Sequence, residues 1–162
     1  MNSESYLKFD AFTNTGIEIL EKLQNSLQSE LVALSERNLE QIKQYAVDKS
    51  QILVEFSNNT QQRSQLLESL NFSSNEKDIQ LFFASCPDTS AKKTYIANWQ
   101  TLAQTLKVVI DSNNVNEQVL KRNQYNIDTI LSILQGKQAN NVLYDAKGDK
   151  GDYSGQSRIG KA

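Results

Sequence analysis

The sequence predicts an all-α fold: an elongated antiparallel helical hairpin, or coiled-coil bundle, of two long helices with a short connecting helix and a flexible C-terminal tail. Three observations predict it. The chain has 162 residues, a length that suits one domain. It has one proline, Pro87, and only one of its six glycines, Gly16, precedes Gly136. A sheet protein needs turn residues every ~8–12 positions, and these are missing over most of the chain. Finally, the apolar residues recur at helical spacing rather than alternating.

The first helix is expected from near Ser3–Ser5 to about residue 70. Its apolar positions lie on an 11-residue grid. One column holds Phe9, Leu20, Leu31, Ile42 and Leu53, and a second holds Phe12, Leu23, Leu34, Tyr45 and Phe56. Eleven residues in three turns is about 3.67 per turn, so the stripe stays on one face of a nearly straight helix. Thr15 and Glu18 form an alternative capping box, but the grid already includes Phe9 and Phe12. Gly16 then sits inside the helix at a cost of ~1 kcal/mol.

A third column decays from Gly16 and Leu27 to Asn38 and Lys49. The simpler expectation for these two polar residues is a solvated edge with the lysine stem on apolar surface. The alternative is a buried polar contact that fixes register. Ser57-Asn58-Asn59-Thr60 interrupts the stripe, and Leu66, Leu67 and Leu70 resume it after a register shift.

Asn71-Phe72-Ser73-Ser74 is a break, and Ser73 with Glu76 makes a capping box for a short helix. Ile79, Phe82 and Phe83 share one face of it, and Pro87 ends it. Asp88-Thr89-Ser90 caps the last helix. Its stripe runs through Ile96, Trp99, Leu102, Leu106, Val109, Val119, Leu120, Ile127, Ile130, Leu131 and Leu134, and Gly136 stops it. Between Asp111 and Glu117 stand three asparagines, poor helix formers. They read either as a wet, weak patch or as a polar layer that sets register.

The expected domains are a helical hairpin over 1–136 and a flexible tail over 137–162, rich in Gly, Asp, Ser and Lys. Within the tail, Val142, Leu143 and Tyr144 form an apolar island suited to docking or to folding back.

Composition narrows the function. The chain has no histidine, hence no Ser-His-Asp or Cys-His arrangement and no usual zinc set. Its single cysteine, Cys86, has no internal disulfide partner, which points to a reducing compartment. No metal or other cofactor is expected: the Asp-Lys-Gly-Asp run lacks the spacing of a calcium loop. A formal charge of −2 without a basic stripe argues against nucleic acid. No ~18-residue apolar run is present, so no membrane insertion is expected. The N-terminus lacks the basic and apolar regions of a signal peptide. A non-enzymatic cytoplasmic protein follows. Apolar positions such as Ile19, Leu39, Ile52, Ile110 and Leu131 exceed what one seam can bury, and surplus apolar surface marks an interaction site. The residues alone leave open a binding protein for a partner helix and a structural coiled coil that self-associates, including as a homodimer.

The layout resembles the FlgN family of flagellar export chaperones. The resemblance rests on the Leu-rich first stretch from Leu20 to Leu34, the Lys49-Ser-Gln-Ile-Leu53 and Arg63-x-x-Leu66-Leu67 steps, Asn113-x-x-Asn116, and Leu143-Tyr144-Asp145-Ala146-Lys147-Gly148. Glu117 departs from the pattern, which often has Gly after Asn. The resemblance implies a chaperone for the hook–filament junction proteins FlgK and FlgL. Such a protein holds the client's C-terminal helical segment, blocks premature assembly and brings it to the export gate FlhA. It further implies a client groove at Val119, Leu120, Asn123, Ile127, Ile130, Leu131 and Leu134, with Tyr144 and Asp145 docking on the gate.

Overall fold

The computed structural model describes residues 3–134. They form four helices and no strand: α1 (Ser3–Glu36), α2 (Leu39–Ser69), α3 (Glu76–Ala84) and α4 (Thr89–Leu134). The all-α bundle with a short third helix is as expected. The tail from 137, with Val142 to Tyr144, and the Gly136 stop lie outside the described residues. The chain divides into two units, Met1–Lys121 and Arg122–Ala162, and the described part of the second is the last stretch of α4.

The expected continuous helix from about 5 to 70 does not exist. It reverses at Arg37–Asn38, and α2 returns along α1. Asn59 Nδ2 donates to Phe12 O, and Lys49 reaches Glu30, so α1 and α2 run antiparallel. The turn is a Schellman motif: Asn38 N–H bonds Ala33 O at 2.9 Å and Arg37 N–H bonds Leu34 O at 3.3 Å. Arg37 takes the left-handed conformation, φ 56°, that glycine usually supplies. Asn38 is therefore neither an edge residue nor a core one. It caps α2, its side chain accepting from Gln41 N–H at 3.2 Å. The stripe could not reveal this reversal, because two antiparallel helices facing each other keep the same apolar period as one long helix. The local signal was Asn38 followed three residues later by Gln41. Arg37→Gly is expected to stabilise the protein by about 0.5–1 kcal/mol, because strain relief outweighs the added unfolded-chain entropy. The rise in urea midpoint measures it.

No break occurs at residues 57–60, where α2 runs through. It ends in a second Schellman turn at Asn71, φ 63°, where Phe72 N–H bonds Leu67 O. The cap of α3 is Asn75, which accepts from Asp78 N–H, rather than Ser73, whose own N–H donates to the Asp78 carboxylate. That bond holds the exposed Asp78 carboxyl below its ordinary range. At α4, Asp88 accepts from Ser90 and Ala91 N–H as expected.

In the first unit α4 lies alongside α1 in the same direction. Asn98 bonds Asp10 at one end, and Asn116 bonds Leu27 O and Glu30 towards the other. Two apolar clusters result. The first sits under α3 and gathers Tyr6, Phe9, Leu67, Ile79, Phe82, Phe83 and Tyr95. The second joins Leu20, Leu23 and Leu27 of α1 to Leu102 and Val109 of α4, with Ile52 and Phe56 of α2 against it. α2 buries Asn59, Arg63 and Leu67, of which only Leu67 is apolar.

Candidate functional site

Two polar devices fix how the helices of the first unit meet. The first joins three of them. Lys49 Nζ lies 2.9 Å from Glu30 Oε1 and 3.0 Å from Oε2, and Asn116 Nδ2 donates at 2.8 Å to Glu30 Oε2 and to Leu27 O. Glu30 and Asn116 are buried. Lys49 is thus a register contact rather than a solvated edge, and Asn116 is part of a polar layer. A buried carboxylate needs such partners, because charge without them is expelled from a core. Asn113, by contrast, is exposed.

The second device surrounds Gly16. Arg63, 6% exposed, donates to Asn59 Oδ1 and to Thr60 Oγ1 and lies over the rings of Phe56 and Trp99. Burial pushes the guanidinium down to about 10, so it stays charged at neutral pH. A Cβ on Gly16 would stand 2.5 Å from Arg63 Nη1, 2.8 Å from Asn59 Oδ1 and 3.1 Å from Leu102 Cδ1. The glycine is there for close approach, which the sequence pattern did not show. Gly16→Val is expected to cost about 1–3 kcal/mol through overpacking, read as a lower denaturation midpoint.

Of the residues expected in a client groove, Val119 is half-buried and Leu120 is 40% exposed, both in the first unit. In the second, Asn123 is half-buried, while Ile127, Ile130, Leu131 and Leu134 are 55%, 55%, 46% and 77% exposed. Leu120, Asn123, Ile127, Ile130 and Leu134 follow the 3–4 spacing of a coiled-coil seam. Leu131 broadens it. Ile133 and Tyr125, which the sequence reading did not single out, are also strongly exposed. Tyr144 and Asp145 lie outside the described residues.

Cys86 is half-buried in the α3–α4 connection, with Sγ 3.7 Å from Asp88 O. Among the described residues no helix is long and apolar enough to cross a membrane. Exposed apolar positions at seam spacing on a helix end are what a helix-binding protein presents.

Comparison with curated proteins and with solved structures gives no match. The family model of the FlgN protein matches residues 14–151, most of the chain. With its helical bundle and its exposed helix end, the chain belongs to the FlgN family of flagellar export chaperones.

Proposed function

We propose that this chain binds the C-terminal helical segments of the hook-associated junction proteins FlgK and FlgL in the cytoplasm, prevents their premature assembly, and delivers them to the export gate FlhA. The observation that carries this reading is the seam on the last part of α4. Ile127, Ile130 and Leu134 stand mostly in water at coiled-coil spacing, with Leu131 beside them. Leaving several large aliphatics wet on one stripe has a cost that burial against a partner helix removes, at ~25 cal/mol per Å². In this reading residues 1–136 hold the client and residues 137–162 reach the gate through Tyr144 and Asp145.

Calorimetric titration of the full chain with a FlgK C-terminal segment tests the proposal. Binding at 1:1 is expected. Leu131→Asp is expected to weaken it at least about tenfold, because a charge would be buried without a partner. Leu131 is exposed enough for the fold to tolerate the change. Tyr144→Ala is expected to leave this titration unchanged and to reduce retention of the complex by FlhA. Unaltered affinity in Leu131→Asp rejects the groove assignment.

A further inference from the structure

The two halves of α2 are held in different ways. The second half is locked. Asn59 Nδ2 donates to Phe12 O at 2.9 Å, Arg63 fills the hollow at Gly16, and Leu67 is buried in the cluster under α3. The first half is not locked. Every residue from Leu39 to Asn58 is half-buried or exposed, including the whole seam of Ile42, Tyr45, Lys49, Ile52 and Phe56. Leu39, Val47 and Val54 are 71%, 54% and 58% exposed. Yet Ile52 and Phe56 of this half pack over fully buried carbon of α1, at Leu20, Leu23 and Leu27.

The other ties of this half are also slight. An opening of about 220 Å³ lies between its Leu53 and Phe56 and the Leu106 and Ile110 of α4. Its ion pair to α1 joins Glu30 to Lys49, whose side chain already reaches water. Glu30 keeps a second partner in Asn116, which also bonds Leu27 O, so the carboxylate is not orphaned when Lys49 leaves. Both ends of the segment are weak points. Arg37 closes the turn before it in the left-handed conformation, which costs a residue with a side chain energy. Ser57 and Asn58, poor helix formers, join it to the locked half.

A segment that buries little apolar surface opens at a free energy below that of global unfolding. We infer that residues 39–58 form a strap that detaches from α1 as one unit, with the Lys49–Glu30 pair as its latch, while residues 59–69, α1 and α3 stay in place. Detachment bares the seam of Leu20, Leu23 and Leu27, so the strap gates access to that seam. A lone helix of ~20 residues is marginal in water, so the detached strap also loses its backbone hydrogen bonds.

Thiol labelling with iodoacetamide tests the strap in the full chain carrying Cys86→Ser, which removes the one native thiol. Leu23→Cys puts a buried thiol under the strap, on the seven-residue column that presents Gly16 and Glu30 to α2. Thr13→Cys puts one beside the Asn59 contact of the locked half. Leu23→Cys is expected to react through strap opening, at a rate nearly independent of dilute urea. Thr13→Cys is expected to react only through global unfolding, at a rate that climbs steeply with urea. Phe82→Ala weakens the cluster under α3 and leaves the strap alone. It is expected to speed the Thr13→Cys reaction at least about a hundredfold and to leave that of Leu23→Cys within about threefold. Lys49→Gln is expected to speed the Leu23→Cys reaction about tenfold. Hydrogen exchange of the unsubstituted chain reads the same opening without any variant: amides from Lys43 to Phe56 are expected to exchange at least about tenfold faster than those from Arg63 to Leu67. A Leu23→Cys reaction as urea-dependent as that of Thr13→Cys, an equal response of both to Phe82→Ala, no response to Lys49→Gln, or equal exchange in the two halves of α2 would each overturn the inference.

Discussion

Phe82→Ala is expected to destabilise the protein by about 3–5 kcal/mol, the range for removing a fully buried aromatic ring. Phe82 is fully buried and is the hub of the cluster under α3. Its ring centroid lies 4.8, 5.1, 5.5 and 5.7 Å from those of Tyr6, Phe9, Phe83 and Phe72. These neighbours come from α1, α3 and the α2–α3 turn, so the void could not close without moving several elements. The neighbouring Leu81 is mostly exposed, and Leu81→Ala is expected to stay within about 0.5 kcal/mol of the parent. Urea unfolding of both variants measures the contrast. A Phe82→Ala midpoint close to the parent's would mean that α3 contributes little to the bundle.

The second large effect is expected at Glu30. Glu30→Ala leaves the Lys49 ammonium and the Asn116 amide without their shared acceptor. Removing one member of a buried ion pair typically costs about 3–5 kcal/mol. Here about 2–3 kcal/mol is expected, because the Lys49 side chain is 24% exposed and can turn to water. The paired change Glu30→Leu with Lys49→Met is expected to recover most of that loss, since apolar replacements of a buried pair are often neutral or better. Asn116 keeps its bond to Leu27 O in this variant. A double variant as unstable as Glu30→Ala would show that the pair itself, not the desolvated remainder, holds the three helices.

The helical class and the buried faces of α1 and α3 were legible in the sequence, because burying apolar carbon at 3.6-residue spacing dictates both. Phe9, Leu20, Leu23, Leu27 and Leu34 are buried as their grid requires. Ile79, Phe82 and Phe83 share the buried face of α3. The reversal at Arg37 was not legible from the stripe, since a Schellman turn closed by arginine and asparagine carries neither Gly nor Pro. The same oversight displaced Leu53, which a continuous helix would bury and which α2 leaves half in water. The polar core residues were only partly legible. Asn116 was visible as an asparagine on an apolar helix. Glu30, Asn59 and Arg63 looked like ordinary solvated residues, because burial of a polar side chain depends on partners from distant parts of the chain. Gly16 looked like a tolerated defect and is instead the hollow that admits Arg63.

A surplus of apolar positions on α4 was legible in the sequence, and Ile127, Ile130, Leu131 and Leu134 are accordingly exposed, whereas their assignment to a client came from the family resemblance alone. The exposed Tyr125 and Ile133 widen that surface and were overlooked because they fall off the seam.

Hydrogen exchange of the full chain, with and without a FlgK C-terminal segment in dilute solution, tests the central claim most directly. Free, the amides from Val119 to Leu134 are expected to exchange fast, since Leu120, Tyr125, Ile127, Ile130, Ile133 and Leu134 along that stretch stand largely in water. With the segment bound, exchange there is expected to slow by an order of magnitude or more, the chemistry of α1 and α3 being unchanged. A bound complex in which this stretch exchanges as fast as in the free chain would contradict the account.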